Sequence, residues 1–301
     1  GFDAIYVASN DCSDGSDALL AALDRAGIIG HVPNEVAPGA IPQHAGYDRI
    51  RASHPIDRAE WLMMLDTDEF LNIHIGQNRV QDLTMRAGAA DIIAVSARSF
   101  SDLPQTHWEP GPVTRAFPMA LRPHHRANQS VKTLTRDPAR FRGIHNHHMV
   151  GYRGKTSLQV FCAQDGSSYP LEPGTPLGDK FRHIPKEQVG YDLAQYNHYP
   201  IKTLDSYLLR QARGRGAAAK PDAASEAENK RHTMEYFTLR AGRGQPEHSI
   251  RRYDPQVETL LADLLADPQI AAAHHACETA HAAAIRDHVA RMEETEMGPH
   301  P

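Results

Sequence analysis

Two aspartates, Asp66 and Asp68, stand one residue apart directly after the apolar run Trp61–Leu65. On an extended chain, residues spaced i and i+2 point to one side. Both carboxylates could then reach one hard divalent cation. Mg²⁺ or Mn²⁺ prefers oxygen ligands and keeps positions open for phosphate oxygens. A pyrophosphate leaving group needs such a cation to offset its developing charge. An acidic turn that merely caps a strand is the plain alternative, because Asp-x-Asp is common. Its context raises the metal reading: Trp-Leu-Met-Met-Leu before it and Glu69-Phe70 after it.

Three further groups could serve the same chemistry. The segment Asn10-Asp11-Cys12-Ser13-Asp14-Gly15-Ser16 precedes a helical pattern. Turn residues before a helix N-terminus suit ribose hydroxyls or phosphate, which makes Asn10, Asp11 and Asp14 candidate nucleotide ligands. The alternative is a well-capped helix. Histidine numbers 19 residues and clusters at His145-Asn146-His147-His148. Imidazole is a common transition-metal ligand. His198, which follows a candidate strand and opens a helix, is the first choice to complete a metal shell, and His145 is the second. The basic residues Lys202, Arg210, Arg213 and Arg215 could neutralise a diphosphate or form a solvated helix face.

These residues need a scaffold. Ala4–Ser9 reads as a buried strand. A helix with Leu19, Leu20 and Leu23 on one face follows, capped by Ser16 or Asp17 and stopped by Gly27. Ile28–Val32 is the next strand. Trp61–Leu65 and Asp91–Ser96 are further strands, with a helix over Val80–Ala87 between them. This alternation predicts an α/β class fold with an open, mostly parallel, twisted sheet flanked by helices. Ligands of such sheets bind beyond the carboxyl ends of the strands, where Asn10-Asp11 and Asp66-Thr67-Asp68 would both stand. Residues 101–190 read as irregular. Gln195–Tyr199 reads as a strand end and a helix starts near Thr203. In the tail, Val257, Leu260, Leu261, Leu264 and Leu265 follow a helical stripe that Pro268 ends.

The chain has 301 residues, 41% of them apolar, enough for one large α/β domain with an appendage. A net charge of −5 gives no reason to expect nucleic acid as a partner. Three widely spaced cysteines make no disulfide framework, so a reducing, cytoplasmic compartment is expected, with peripheral contact at the inner face of the membrane as a variant. No run reaches the roughly 18 apolar residues of a transmembrane segment.

Taken in order, Ser9-Asn10-Asp11-Cys12-Ser13-Asp14-Gly15-Ser16, Leu65-Asp66-Thr67-Asp68-Glu69-Phe70 and Asn197-His198-Tyr199…Lys202-Thr203…Arg213-Gly214 resemble the bacterial family 2-like glycosyltransferases, relatives of the group with an Asp-x-Asp-Glu-Phe strand end. The resemblance covers about residues 1–215. It implies a GT-A fold over 1–216, with 217–301 as a linker and helical C-terminal extension. It also implies inverting, metal-dependent transfer from a nucleotide-diphosphate sugar to a saccharide or other hydroxyl acceptor, with Asp66 and Asp68 holding Mn²⁺ or Mg²⁺ and Asp11 near the nucleoside. Cell-surface polysaccharide synthesis is the expected setting. Two departures stand out. The family's first strand would lie upstream of Gly1. The acidic residue that the family tends to place near Thr114–Phe117 is replaced by Arg115 and Ala116. Inverting transfer needs a base within reach of the acceptor hydroxyl, and Asp102 and Glu109 are the nearby candidates.

Two other functions compete. A haloacid-dehalogenase-type phosphatase also ends an apolar strand in Asp-x-Asp, with the first Asp as nucleophile. It wants Thr or Val where Phe70 stands, and a downstream Asp pair that the chain lacks. A non-catalytic sugar- or polymer-binding module on the same fold would need no base.

Overall fold

A computed structural model describes residues 1–213 and 233–296, with side chains described for 1–211 and 233–292. The fold is mixed α/β with a central sheet and a helical C-terminus. Contacts divide it into two units. One comprises 1–4, 43–100 and 120–200, the other 5–42, 101–119 and 201–301.

The first unit holds a seven-stranded sheet. At its centre lies Ile92–Ser99, buried at all eight residues. This is a run of Ile, Val, Ala and Ser that suits a strand covered on both faces. One edge pairs antiparallel with Val131–Arg136, from Ile92↔Thr135 to Ser96↔Val131. The other edge is shared. Leu158–Cys162 runs parallel along its first half, and Ala194–His198 runs parallel along its second. Three outer strands are all antiparallel to their neighbours: Trp61–Met63 on Val131–Arg136, Glu69–Ile73 on Ala194–His198, and Ser168–Leu171 on Leu158–Cys162.

The expected mostly parallel sheet is therefore corrected to a mixed one. Four of its six described pairings are antiparallel. Three of the four antiparallel pairings involve Val131–Arg136 or Ser168–Leu171, strands that the stretch 101–190 supplies. Only a crossover returns the chain in parallel. On one sheet face the helix Val80–Ala87 sets Val80 and Leu83 against Ile93, Val95, Leu134 and Tyr196. The Asp82 carboxylate accepts the Arg79 and Gln77 backbone N–H groups at 2.9 Å each, which starts that helix. The alternate residues of the same strands include buried polar ones: Ser96, Arg98, Thr133, Thr135, Gln195 and Asn197.

In the second unit, Tyr6–Ser9 pairs parallel with Gly30–Pro33 as a separate two-stranded sheet. The Tyr6–Ser9 strand is half-buried, not buried as its composition suggests. Between the two strands runs the helix Ser16–Arg25. Its N-cap is Gly15 at φ 82, with no side-chain cap, so neither Ser16 nor Asp17 is the cap. Its end follows expectation. Gly27 at φ 72 donates to the Asp24 carbonyl at 2.9 Å, and Ile28 donates to the Leu23 carbonyl at 3.0 Å. This is a Schellman motif. Helices Asp254–Leu265 and Pro268–Glu296 complete the unit. In the expected apolar stripe of the first of these, Val257, Leu260 and Leu261 are exposed, while Leu264 and Leu265 are half-buried. Pro268 opens the next helix, where its missing N–H is no loss. Among the described residues no helix is long and apolar enough to cross a membrane.

Candidate functional site

The apolar strand before the acidic triplet stops at Met63, and Asp66–Glu69 closes as a turn, with the Glu69 N–H donating to the Asp66 carbonyl at 2.9 Å. The extended i, i+2 geometry expected for Asp66 and Asp68 is thus replaced by a turn. The Glu69 carboxylate answers by accepting the Asp66 N–H at 2.9 Å. The turn is pinned from both ends.

The next strand begins at Glu69, which lies opposite His198 in register. Asp68 is therefore delivered beside His198. Its Oδ1 stands 3.9 Å from His198 Nε2, with 12% and 23% of the two side chains exposed. The Asp68 carbonyl also accepts the Tyr199 N–H at 2.9 Å. The residues flanking His198 explain its placement. Asn197 and Tyr199 are buried. The Asn197 amide receives from Gln195 at 2.7 Å and donates to the Tyr199 hydroxyl at 3.3 Å. Tyr199 stacks on Phe100 at 4.5 Å and meets Phe70 edge-on at 5.7 Å. In Asn197-His198-Tyr199 the outer two residues are anchors, and the half-exposed imidazole is the one left facing outward.

Asp66 is held from two sides. Gln43 Nε2 donates to its Oδ1 at 2.6 Å, and to the Tyr47 hydroxyl at 3.0 Å. Gln43 and Tyr47 lie one turn apart on the helix Pro42–Ser53. Burial, and then the Asp66 carboxylate, push the Tyr47 phenol well up. On the other side stands Lys132, wholly buried, with Nζ 3.5 Å from Asp66 Oδ2 and 2.7 Å from Glu69 Oε2. Burial pushes the Glu69 carboxyl up, and the Lys132 ammonium beside it pulls it down. Glu69, Lys132, Gln43 and Tyr47 were not foreseen as site residues. One signal was available. In Val131-Lys132-Thr133-Leu134, Lys132 shares a strand face with Leu134, and a lysine on a buried face needs a counter-charge.

The other expected residues lie elsewhere. His145 belongs to a histidine cluster, with ring centroids 5.5 Å from His44, 5.9 Å from His147 and 4.8 Å from His148. Burial, and then the charges of His148, His44, Arg182 and Lys132, lower it to about 4. His198, whose Nε2 stands 3.9 Å from Asp68 Oδ1, is the better choice.

Asn10, Asp11, Asp14, Lys202, Asp102 and Glu109 all fall in the second unit. Asn10 donates to Asp11 at 3.1 Å. Asp14 Oδ1 accepts the Ser16 N–H at 3.1 Å and the Ser16 hydroxyl, which shapes the entry to the helix. Lys202 sits at φ 51. Asp102 accepts from the Ser101 hydroxyl at 2.8 Å and the Gly242 N–H at 2.7 Å. Glu109 is exposed. The Arg115 guanidinium, standing where an acid was expected, is paired with Asp254 at 2.9 Å and with Glu258. Arg213's side chain and Arg215 lie outside the described residues.

Among the described residues, no group of three or more His, Cys, Asp or Glu side chains is arranged to hold a metal ion. Asp68 and His198 are nonetheless one oxygen and one nitrogen donor at a spacing that two ligands of one small cation can share. A cation such as Mg²⁺ typically takes only one or two carboxylates from the protein and fills its shell with water and phosphate. A carboxylate and an imidazole are a pair that a transition metal such as Mn²⁺ accepts, whereas Mg²⁺ prefers oxygen alone. No protein-family model matches the chain, and no curated protein is similar enough to match it.

Proposed function

We propose that the chain is a GT-A-type glycosyltransferase that takes a sugar from a nucleotide-diphosphate donor, with inversion, using Mn²⁺ or Mg²⁺. The observation that carries this reading is the meeting of Asp68 and His198 beside Asp66, where the turn Asp66–Glu69 abuts the end of the strand Ala194–His198. Strand ends are where open α/β sheets take their ligands. Asp68 and His198 would hold the cation, with Asp66 assisting. Bound there, the cation would supply Lewis-acid stabilisation of the diphosphate leaving group.

The protein's own part is orientation. Gln43 and Lys132 fix the Asp66 carboxylate, and Asn197 and Tyr199 fix the strand that bears His198. Preset donors stabilise developing charge without reorganising at the moment of reaction. Asn10, Asp11 and Asp14 are proposed as nucleoside ligands, and Lys202 and Arg213 as diphosphate ligands. Of the two candidate bases, Glu109 is the better one, because its carboxylate is exposed whereas Asp102 already accepts two hydrogen bonds. The setting is proposed to be cytoplasmic, acting on a saccharide.

The test is hydrolysis or transfer from a panel of UDP-, GDP- and dTDP-sugars with Mn²⁺, for the wild type, for the wild type with chelator, and for Asp68→Asn. The expected result is turnover of at least one donor that chelator abolishes and Asp68→Asn lowers at least about 100-fold. Turnover unchanged by both would refute the metal role. No turnover of any donor would favour a binding module instead.

A further inference from the structure

We infer that Arg98 and Ser96 form a buried binding site for a small oxyanion: phosphate, sulfate or a carboxylate. Both lie on the polar face of the sheet, whereas Lys132, which contacts Asp66, lies on the other face with Val95. The site therefore does not rest on the metal-dependent reading. Arg98 is next to the last residue of the central strand Ile92–Ser99, and 4% of it is exposed. A guanidinium stays charged inside a protein, so leaving it unpaired is costly. Among the described residues no hydrogen bond or ion pair reaches it, and its Nε and Nη1 are sealed from solvent. Its one partner is the Tyr191 ring, whose centroid lies 4.8 Å from Cζ. The Tyr191 hydroxyl donates to the Ala97 carbonyl at 3.0 Å, which holds the ring in place. The ring attracts the charge but supplies no oxygen to the N–H donors. The polar side chains that share this face, Ser96, Thr133, Thr135, Gln195 and Asn197, are all neutral, and Asn197 lies opposite Arg98 in register. Of these, the Ser96 hydroxyl is also buried without a partner. It adds a donor two residues back on the same side of the strand. A forked guanidinium and a hydroxyl match an oxyanion. The carboxyl end of a strand is where an open sheet admits its ligands.

Ion binding is measured on the full chain, first freed of oxyanions in chloride buffer. Labelled phosphate, sulfate and acetate are each followed by equilibrium dialysis, and thermal melts are run at matched ionic strength. The wild type is compared with Arg98→Met and Ser96→Ala. The wild type is expected to bind one ion per chain of at least one of the three, and to melt about 3 °C higher with it. Whichever binds tightest assigns the class of ligand. Arg98→Met is expected to weaken binding at least about 30-fold, and Ser96→Ala about tenfold. Phosphate and sulfate also stabilise folded proteins by exclusion from their surface, and Arg98→Met retains that part alone. No bound ion in the wild type, or binding unchanged in Arg98→Met, overturns the inference. Should Arg98→Met fail to fold, Ser96→Ala decides, and binding equal to that of the wild type overturns it.

Discussion

At the scale of single residues, the site owes its shape to side chains that no ligand would touch. Asn197 and Tyr199 are buried on either side of His198, and Lys132 is buried behind Asp66. Asp66 and Asp68 stood out in the sequence through the apolar run before them and Glu69-Phe70 after them. Lys132 did not, because its role depends on a register between distant segments that only the folded sheet reveals.

His145 makes a separate point about charge. Its folded pKa, about 4, lies below the ordinary 6.5. Between those values the unfolded chain binds more protons, so stability falls as the pH drops from about 6.5 towards 4. Burial of His148 lowers its pKa in the same direction. His145→Asn is therefore expected to flatten the loss of chemical stability across that window while leaving stability at pH 8 nearly unchanged. Urea melts at several pH values check this, and an unaltered slope would contradict it.

Among the elements, some helices declared themselves, but Pro42–Ser53 and several strands did not. Val80–Ala87 and the Gly27 stop are visible in the sequence because apolar spacing and glycine have local causes. Gly27 sits at φ 72 with open space where a Cβ would be. Gly27→Ala should therefore cost only the backbone strain of a left-handed residue, about 1 kcal/mol. A thermal melt of that variant reads the cost, and a stability equal to the wild type would refute the Schellman assignment. The strands within 101–190 escaped notice for a physical reason. Val131–Arg136 carries Lys132, Thr133, Thr135 and Arg136, and only Val131 and Leu134 are apolar. A strand whose second face is polar and still buried does not alternate as a half-exposed strand would. The strand Ala194–His198 likewise hides Gln195 and Asn197 in the interior.

For the whole molecule, the α/β class was legible and the sheet's direction was not. Alternating strands and helices in the first 100 residues suggested parallel crossovers. Of the later strands on the central one, Val131–Arg136 is antiparallel while Leu158–Cys162 and Ala194–His198 are parallel, and the outer pairings are antiparallel. The proposed metal site lies wholly in the sheet-bearing unit, since Asp66, Asp68, Glu69, Lys132 and His198 all belong to it. The nucleoside and base candidates belong to the other unit. The central claim is that Asp68 and His198 hold a divalent cation. Direct titration of the full chain with Mn²⁺, followed by the paramagnetic resonance signal of the free ion, tests it without need of a substrate. The expected result is one bound ion per chain in the wild type, with binding weakened at least about tenfold in both Asp68→Asn and His198→Ala. Equal binding by the wild type and both variants would contradict the account.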